Sequence, residues 1–377
     1  MDGLMYAFLF IAVAIGFVFG RLSKKTTSAL GSIKNTFRGR YLESLNQLLK
    51  QEPDVAIESF VENLPVNNET LETHLALGSL LRKRGEVDRA IRIHQNLIAR
   101  PNLSLRQMEY AQLELALDYK QSGLLDRAES LFNDISGSSN YAVKHLCYEN
   151  LVELYQIEQE WLKAINTAEL LCNKKNKKQS DKWRRLQAHF CCELADKAWK
   201  QDAFEECNKW TEKALVHCKQ FPRACLLKVK IALRHNTPKE ALHWLEQVKI
   251  QSDYFNSFLP LAEACFKQLG APQKHLRFLK ETYLTQPSFQ LLLPIADSIY
   301  EERGAKTAIL FLQEELNKEP QLALLSRTLE VIDLNSLEYV HLKNVVEEFL
   351  PPAFQCRHCG FQGIGQYWCC PTCNTWL

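Results

Sequence analysis

The chain has 377 residues and a formal net charge of +2, because 46 lysines and arginines face 44 aspartates and glutamates. A charge this close to balance gives no support to nucleic-acid binding over the whole body. The sequence contains none of the GxSxG, HExxH or P-loop patterns of hydrolases, zinc proteases and nucleotide-binding enzymes. We therefore expect a binding protein and not an enzyme.

The first predicted element is a membrane anchor over residues 1–20. No charged residue occurs between Gly3 and Gly20, and a helix of that length spans ~27 Å, enough to cross a hydrocarbon core. Asp2 precedes the run, and the charged residues that follow it up to Arg40 are all basic, which is the reverse of a cleaved signal peptide. The basic stretch of residues 21–45 is interpreted as a juxtamembrane linker, and it predicts that the body lies in the cytoplasm. A buried helix is the alternative.

Residues 46–350 carry a helical repeat. This region is rich in helix-forming Leu, Ala, Glu, Lys and Gln, and small residues return at a spacing close to 34, which is the tetratricopeptide period. A gap of 67 leaves room for one degenerate unit near Leu276. The prediction is an all-α stack of about eight helix pairs with a peptide-binding groove. The small residues are Ala56, Ala90, Ala128, Ala164, Cys207, Ala241 and Ala308.

Other positions support this repeat. Gly78 and Ala116 stand twelve residues before Ala90 and Ala128, where two helices must approach closely. Gly85 and Gly123 are placed to end first helices in a left-handed turn. The gap between Ala164 and Cys207 is longer, at 43 residues, and contains the basic run Lys174–Lys178. That run is interpreted as a solvated loop, with contact to acidic lipid or nucleic acid as the alternative.

The C-terminal segment, residues 351–377, carries the most specific signal. Cys356 and Cys359 form one CxxC pair, and Cys370 and Cys373 form a second after ten intervening residues. Two such turns predict a tetrahedral four-thiolate site for zinc or iron. Two disulfides or four unused thiols are the alternatives. Cys369 is interpreted as a free thiol, since Cys370 alone gives the CxxC spacing.

The other nine cysteines are scattered along the chain, and such scatter suits a reducing compartment, where cysteine serves as a small apolar residue. His358 lies inside the first CxxC pair and is expected to point outward. The aromatic residues Phe354, Phe361 and Trp368 are expected to pack over the sulfurs or against the last helices, in particular the segment of residues 334–349. The stiff Leu350-Pro351-Pro352 spacer favours such docking.

The order of these parts resembles the lipopolysaccharide assembly protein B family. The resemblance covers the whole chain and is carried by the anchor with its basic flank, by the segment of residues 188–195 (AHFCCELA), and by the cysteine-rich tail. It implies that the tail is a rubredoxin-like domain with Cys356, Cys359, Cys370 and Cys373 as ligands of one iron or zinc ion. The family commonly has a different residue at the position of Cys369.

The resemblance also implies a function. Members of this family are single-pass proteins of the bacterial inner membrane, and they act as adaptors that regulate lipopolysaccharide biosynthesis. They bring the deacetylase LpxC to the protease FtsH and are restrained by a membrane regulator of the YejM/PbgA type. Two other functions stay open: an electron-transfer protein of rubredoxin type, and a general envelope-assembly scaffold. The identity of the metal and a homo-oligomeric state also stay open.

Overall fold

The computed structural model describes residues 71–101, 103–172, 177–248, 255–332, 346, 354–363, 365 and 367–376. Two compact units divide the chain at Cys147 and Tyr148. The expected anchor, the basic linker, the first repeat at Ala56, the segment of residues 334–349 and the proline spacer lie outside the described residues, apart from the single residue Val346. Among the described helices, none is long and apolar enough to cross a membrane.

The described part of the chain forms fifteen helices and one short antiparallel strand pair. The strands pair Phe354 with Gly363 and Gln355 with Gln362. In chain order the elements are α1 (Leu71–Lys83), α2 (Val87–Ile98), α3 (Leu105–Gln121), α4 (Leu125–Ser136), α5 (Tyr141–Ile157), α6 (Trp161–Leu171), α7 (Lys177–Lys200), α8 (Phe204–His217), α9 (Pro222–Arg234), α10 (Pro238–Val248), α11 (Phe255–Gln268), α12 (Pro272–Thr285), α13 (Phe289–Arg303), α14 (Ala305–Lys318), α15 (Leu322–Ile332), β1 (Phe354–Gln355) and β2 (Gln362–Gly363).

The helices follow one another as pairs of a first and a second helix, as the repeat predicts. Each small repeat residue within the described range lies on the second helix of a pair and is completely buried, because the first helix packs directly over it. The degenerate unit expected near Leu276 is the pair α11 and α12, in which Leu276 is 6% exposed. The all-helical repeat fold is thereby confirmed. The buried small residues are Ala90, Ala128, Ala164, Cys207, Ala241 and Ala308.

Each pair is closed by a short turn that contains one residue with a positive φ angle. Glycine adopts this conformation without a Cβ penalty, as the sequence predicts for Gly85 and Gly123. Three pairs in the middle of the chain use other residues, which the sequence analysis did not anticipate. The seven residues are Gly85, Gly123, Gln159, Asp202, Asn236, Gly270 and Gly304.

The helix α7 explains the longer repeat interval. It has 24 residues, whereas the other described helices have 11 to 17. The extra length lies at its N-terminal end, where the basic run enters the helix: Lys177 and Lys178 are helical, while residues 173–176 lie outside the described part. The interpretation of the whole run as a loop is therefore wrong for these two residues.

Arginine–carboxylate bridges join first helices of consecutive pairs. Arg223 on α9 reaches Glu193 and Asp196 on α7 at 2.8 and 2.6 Å. Arg327 on α15 reaches Asp297 on α13 at 2.6 Å. Such charge-assisted bonds fix geometry as well as contributing energy, because the guanidinium is planar.

In the first unit the equivalent bridge belongs to a buried network. Asp118 is fully buried and accepts hydrogen bonds from Arg82 at 2.7 Å and from the His94 ring at 2.5 Å. A buried carboxylate without such partners would be strongly destabilising. The His94 ring lies directly on Gly78, so the network explains why the repeat needs glycine at this position.

We predict that Gly78→Ala lowers the free energy of unfolding by about 1–3 kcal/mol, because the new methyl group overpacks the core. It would lie 2.4 Å from His94 Nε2. The measurement is urea denaturation followed by circular dichroism. Gly137→Ala is the matched control, since its nearest heavy atom would be 3.9 Å away. Equal stability of the two variants would contradict the packing role of His94.

Candidate metal centre

The two CxxC segments fold into equivalent turns. In the first, the Cys356 N–H donates to Phe361 O at 2.8 Å and the Gly360 N–H donates to Cys356 O at 2.9 Å. In the second, Cys370 and Asn374 make the same pair of bonds with Thr375 O and Cys370 O, both at 2.9 Å. Gly360 and Asn374 occupy the same place in each turn, and both have positive φ angles, 76° and 53°.

These turns bring together the four cysteines that the sequence predicts as ligands. The Sγ atoms of Cys356, Cys359, Cys370 and Cys373 all lie within 4.8 Å of one another. Two of the separations are 3.7 Å, between Cys356 and Cys373, and 3.6 Å, between Cys359 and Cys370. A tetrahedron with metal–sulfur bonds of ~2.3 Å has sulfur–sulfur edges of about 3.8 Å. The four side chains can therefore hold one metal ion.

The disulfide alternative does not match this geometry. A disulfide joins two sulfurs at ~2.05 Å, whereas all thirteen cysteines are free in the structure. Tetrahedral thiolate sets select zinc or iron. Both metals fit the four sulfurs, so the identity of the ion stays open.

Hydrogen bonds lower the pKa of two of these thiols, Cys356 and Cys373. The Thr375 hydroxyl and backbone N–H lower the pKa of Cys373 to about 5. The backbone N–H groups of Cys359 and His358 lower the pKa of Cys356. The Phe361 N–H lowers the pKa of Cys359, but desolvation and the neighbouring thiols outweigh it and raise that pKa to about 12. Four thiolates at this spacing need a shared cation, because like charges oppose ionisation.

Cys369 lies outside the four-sulfur cluster, as expected. It is half-buried, and its Sγ lies 3.8 Å from the Gln156 side-chain nitrogen on α5. Burial raises its pKa to about 11. A thiol in this state is a poor ligand and a poor nucleophile.

The aromatic residues of the tail divide between two roles. Phe354, Phe361 and Tyr367 pack on one another beside the cysteines, with ring centroids 5.1 to 6.3 Å apart. Trp368 instead packs against the helix core that includes Cys225 and Leu226. Of the two expected positions for Phe354 and Phe361, the structure shows packing beside the sulfurs, where they form the core of the metal turns.

The tail docks mainly through Trp376. Its ring centroid lies 4.5 Å from His189, 5.9 Å from Phe190 and 6.3 Å from Trp161. In addition, the Gln156 side chain donates to Asn374 O at 3.0 Å. The contacts are thus on α5, α6 and α7, in the middle of the repeats. The expected docking against residues 334–349 concerns a segment outside the described part of the chain. Trp376 is an aromatic anchor that the sequence analysis overlooked, and its described ring contacts lie on α6 and α7.

Arg223 is the charged residue at this junction between the tail and the helices. Its guanidinium lies 5.6 Å from the Trp368 ring centre and 5.9 Å from that of Trp376. Burial opposes its positive charge, but Glu193 and Asp196 outweigh that effect and raise its pKa. Cation–π contacts of a desolvated arginine contribute about 1–2 kcal/mol. One residue therefore links two repeat helices to two tryptophans of the tail.

These features define a class: a protein of tetratricopeptide-type helix pairs with a four-cysteine domain that can hold a metal ion. We call this domain, residues 354–376, the knuckle. Lipopolysaccharide assembly protein B of Escherichia coli strain K12 is 30% identical over 383 residues, covering 99% of this chain and 96% of that protein. The Haemophilus influenzae protein of the same name is 31% identical over 394 residues, covering 100% and 97%. The chain belongs to the lipopolysaccharide assembly protein B family.

No protein-family model matches the chain. Solved tetratricopeptide repeat proteins from Parabacteroides merdae and Cytophaga hutchinsonii align at 13% and 12% identity with TM-scores of 0.34 and 0.37. They cover 74% and 71% of this chain and 100% and 98% of their own.

We predict that Cys373→Ser reduces the bound metal from about one ion per chain to almost none, because a structural site of this kind needs all four ligands. Metal content is measured by mass spectrometry of the purified protein. Cys369→Ser is the matched control and is expected to keep its metal. If the control loses the ion while Cys373→Ser retains it, the assignment of ligands is wrong.

We also predict that Trp376→Ala undocks the tail without emptying the metal site. Cys369 then becomes accessible and its pKa falls from about 11 towards ~8.5, so alkylation by iodoacetamide accelerates at least about tenfold. Peptide mass spectrometry locates the label. Thr372→Ala, which changes an exposed residue of the same turn, is expected to leave the rate unchanged. An unchanged rate in Trp376→Ala would show that Trp376 does not hold the junction.

Proposed function

We propose that this chain is a non-enzymatic adaptor of the inner membrane that regulates lipopolysaccharide (lipid A) biosynthesis. The observation that carries the proposal is the match to lipopolysaccharide assembly protein B along 99% of the chain. Stacked helix pairs provide binding surfaces for proteins, which agrees with an adaptor. In the proposed mechanism the repeats bring the deacetylase LpxC to the protease FtsH, under restraint by a YejM/PbgA-type regulator.

The proposed anchor determines where the adaptor is located. Residues 1–20 would hold the repeats at the cytoplasmic face, where a membrane protease and its substrate meet. Confinement to one surface raises the effective concentration of partners by orders of magnitude without any new contact. The support for the anchor is its uncharged run from Gly3 to Gly20 and the basic residues that follow.

The metal knuckle has a structural part in this proposal. An iron or zinc ion held by Cys356, Cys359, Cys370 and Cys373 would fix the two turns by supplying the charge that four thiolates require. The chain's own residues then do the rest: Trp376, Trp368 and Asn374 hold the folded knuckle against α5, α7 and α9.

Electron transfer is the second candidate, favoured by one observation. Cys359 is exposed, so a redox partner can approach that ligand. A reversible iron couple that a cellular reductase supports would favour this function. A zinc-loaded protein that retains full activity would exclude it.

We predict that deletion of residues 1–20 gives a folded body that no longer brings LpxC to FtsH, because the partners are no longer concentrated at one membrane. The test is crosslinking in membranes followed by mass spectrometry of the captured proteins, together with the lifetime of LpxC. Capture of other envelope proteins alone would favour the general scaffold. Full activity of the truncated form would contradict a functional anchor.

A further inference from the structure

The thirteen cysteines of this protein differ in their access to solvent. All of them lie in the described part of the chain, where eight are buried, four are half-buried and one, Cys359, is exposed. An oxidant dissolved in water therefore reaches the Cys359 sulfur more readily than any other sulfur of a cysteine in the protein. Solvent access is one of the two properties that decide which cysteine is oxidised.

Thiolate character is the second property, and the cysteines of the helices lack it. Burial raises the pKa of Cys147 and of Cys191 to about 12, and it raises the pKa of Cys225 to about 11. At neutral pH these groups are thiols, and the thiolate, not the thiol, is the nucleophile. In the loaded knuckle the four ligand sulfurs are thiolates, because coordination by a metal ion deprotonates a thiol outright.

Cys359 also has a second sulfur beside it. Its Sγ lies 3.6 Å from the Sγ of Cys370, which belongs to the other turn of the knuckle. A disulfide joins two sulfurs at ~2.05 Å, so a side-chain movement of about 1.5 Å brings these two into bonding distance. An accessible thiolate next to a resolving cysteine is the usual arrangement of a redox-sensitive pair.

We propose that Cys359 is the site at which hydrogen peroxide oxidises this protein, with Cys370 as the resolving cysteine. The Cys359 sulfur attacks one peroxide oxygen, so that an S–O bond forms, the O–O bond breaks and hydroxide leaves. The Cys370 sulfur then attacks the Cys359 sulfur, so that the S–S bond forms, the S–O bond breaks and a second hydroxide leaves. Each hydroxide takes up a proton. One peroxide thus gains two electrons and becomes two waters, while two thiolates become one disulfide.

The disulfide has a consequence for the whole tail. Cys356 and Cys373 are the two ligands that remain, and they are too few to hold a structural metal ion. Loss of the ion unfolds the turns, because metal binding supplies the folding free energy of such a small domain. Trp376 follows Cys373 closely and packs on His189, so this contact is lost as well. Oxidation at Cys359 therefore releases the tail from the helices. This property goes beyond the proposed adaptor function and does not depend on it.

The test treats the zinc-loaded full chain, in detergent, with one equivalent of hydrogen peroxide. A chromogenic chelator follows the release of zinc. The remaining thiols are blocked with N-ethylmaleimide after denaturation, and mass spectrometry of peptides prepared without reductant maps the disulfides. We expect a Cys359–Cys370 disulfide as the main product, about one zinc released per disulfide, and helix cysteines that carry the maleimide. Dithiothreitol together with zinc is expected to restore the loaded site, because a disulfide is a reversible oxidation state.

Two variants identify the reacting sulfur, and the zinc content of each is measured first. Cys359→His keeps a fourth zinc ligand, since three cysteines and one histidine form a common structural site, and the exposed position leaves room for the ring. Without the exposed thiolate, we expect peroxide-dependent zinc release to slow at least about tenfold. Cys369→Ser removes the neighbouring thiol that lies outside the cluster. It is the matched control and is expected to release zinc within about twofold of the unaltered chain.

The disulfide map of the unaltered chain decides the proposal even if Cys359→His does not retain zinc. Oxidation of helix cysteines before the knuckle, or a main disulfide that joins Cys356 to Cys359 or includes Cys369, would overturn it. A loaded Cys359→His variant that releases zinc at the unaltered rate would do the same.

Discussion

Four thiols held within 4.8 Å of one another are the constraint on which the rest of this structure depends. They cannot all ionise without a cation, and a knuckle of this size has too little core to fold unaided. The sulfur separations of 3.6 and 3.7 Å match one tetrahedral metal ion. Because the same short segment carries Trp376 and Asn374, any change at the sulfurs acts on the contacts with the repeats.

Contacts between the cysteine-rich tail and the helices link the four-cysteine site to the rest of the second unit. Trp376 packs on α6 and α7, while Arg223 holds α7 through Glu193 and Asp196 and faces both tail tryptophans. The arginine bridge belongs to the contacts that join first helices along the repeats. The cysteine-rich tail is therefore in contact with the same helices that the arginine bridge joins.

Much of this architecture follows from the sequence, for physical reasons. The buried small residues from Ala90 to Ala308 recur at intervals near 34 because each helix pair repeats the same close packing, and the CxxC spacing is set by the geometry of the turns. The position of the tail could not be predicted in this way. It depends on contacts between Trp376 and residues such as His189, about 190 positions earlier, and no local pattern encodes such a distance. The turns at Gln159, Asp202 and Asn236 escaped notice because only glycine gives a clear signal there.

The most direct measurement is amide hydrogen exchange of the full chain before and after removal of the metal by a chelator. The account predicts faster exchange in the knuckle and also in the part of α7 around His189 and Phe190, with α13 and α14 unchanged as internal references. Loss of protection in the knuckle alone, with α7 unaffected, would show that the metal site and the repeats are not coupled and would contradict the central claim.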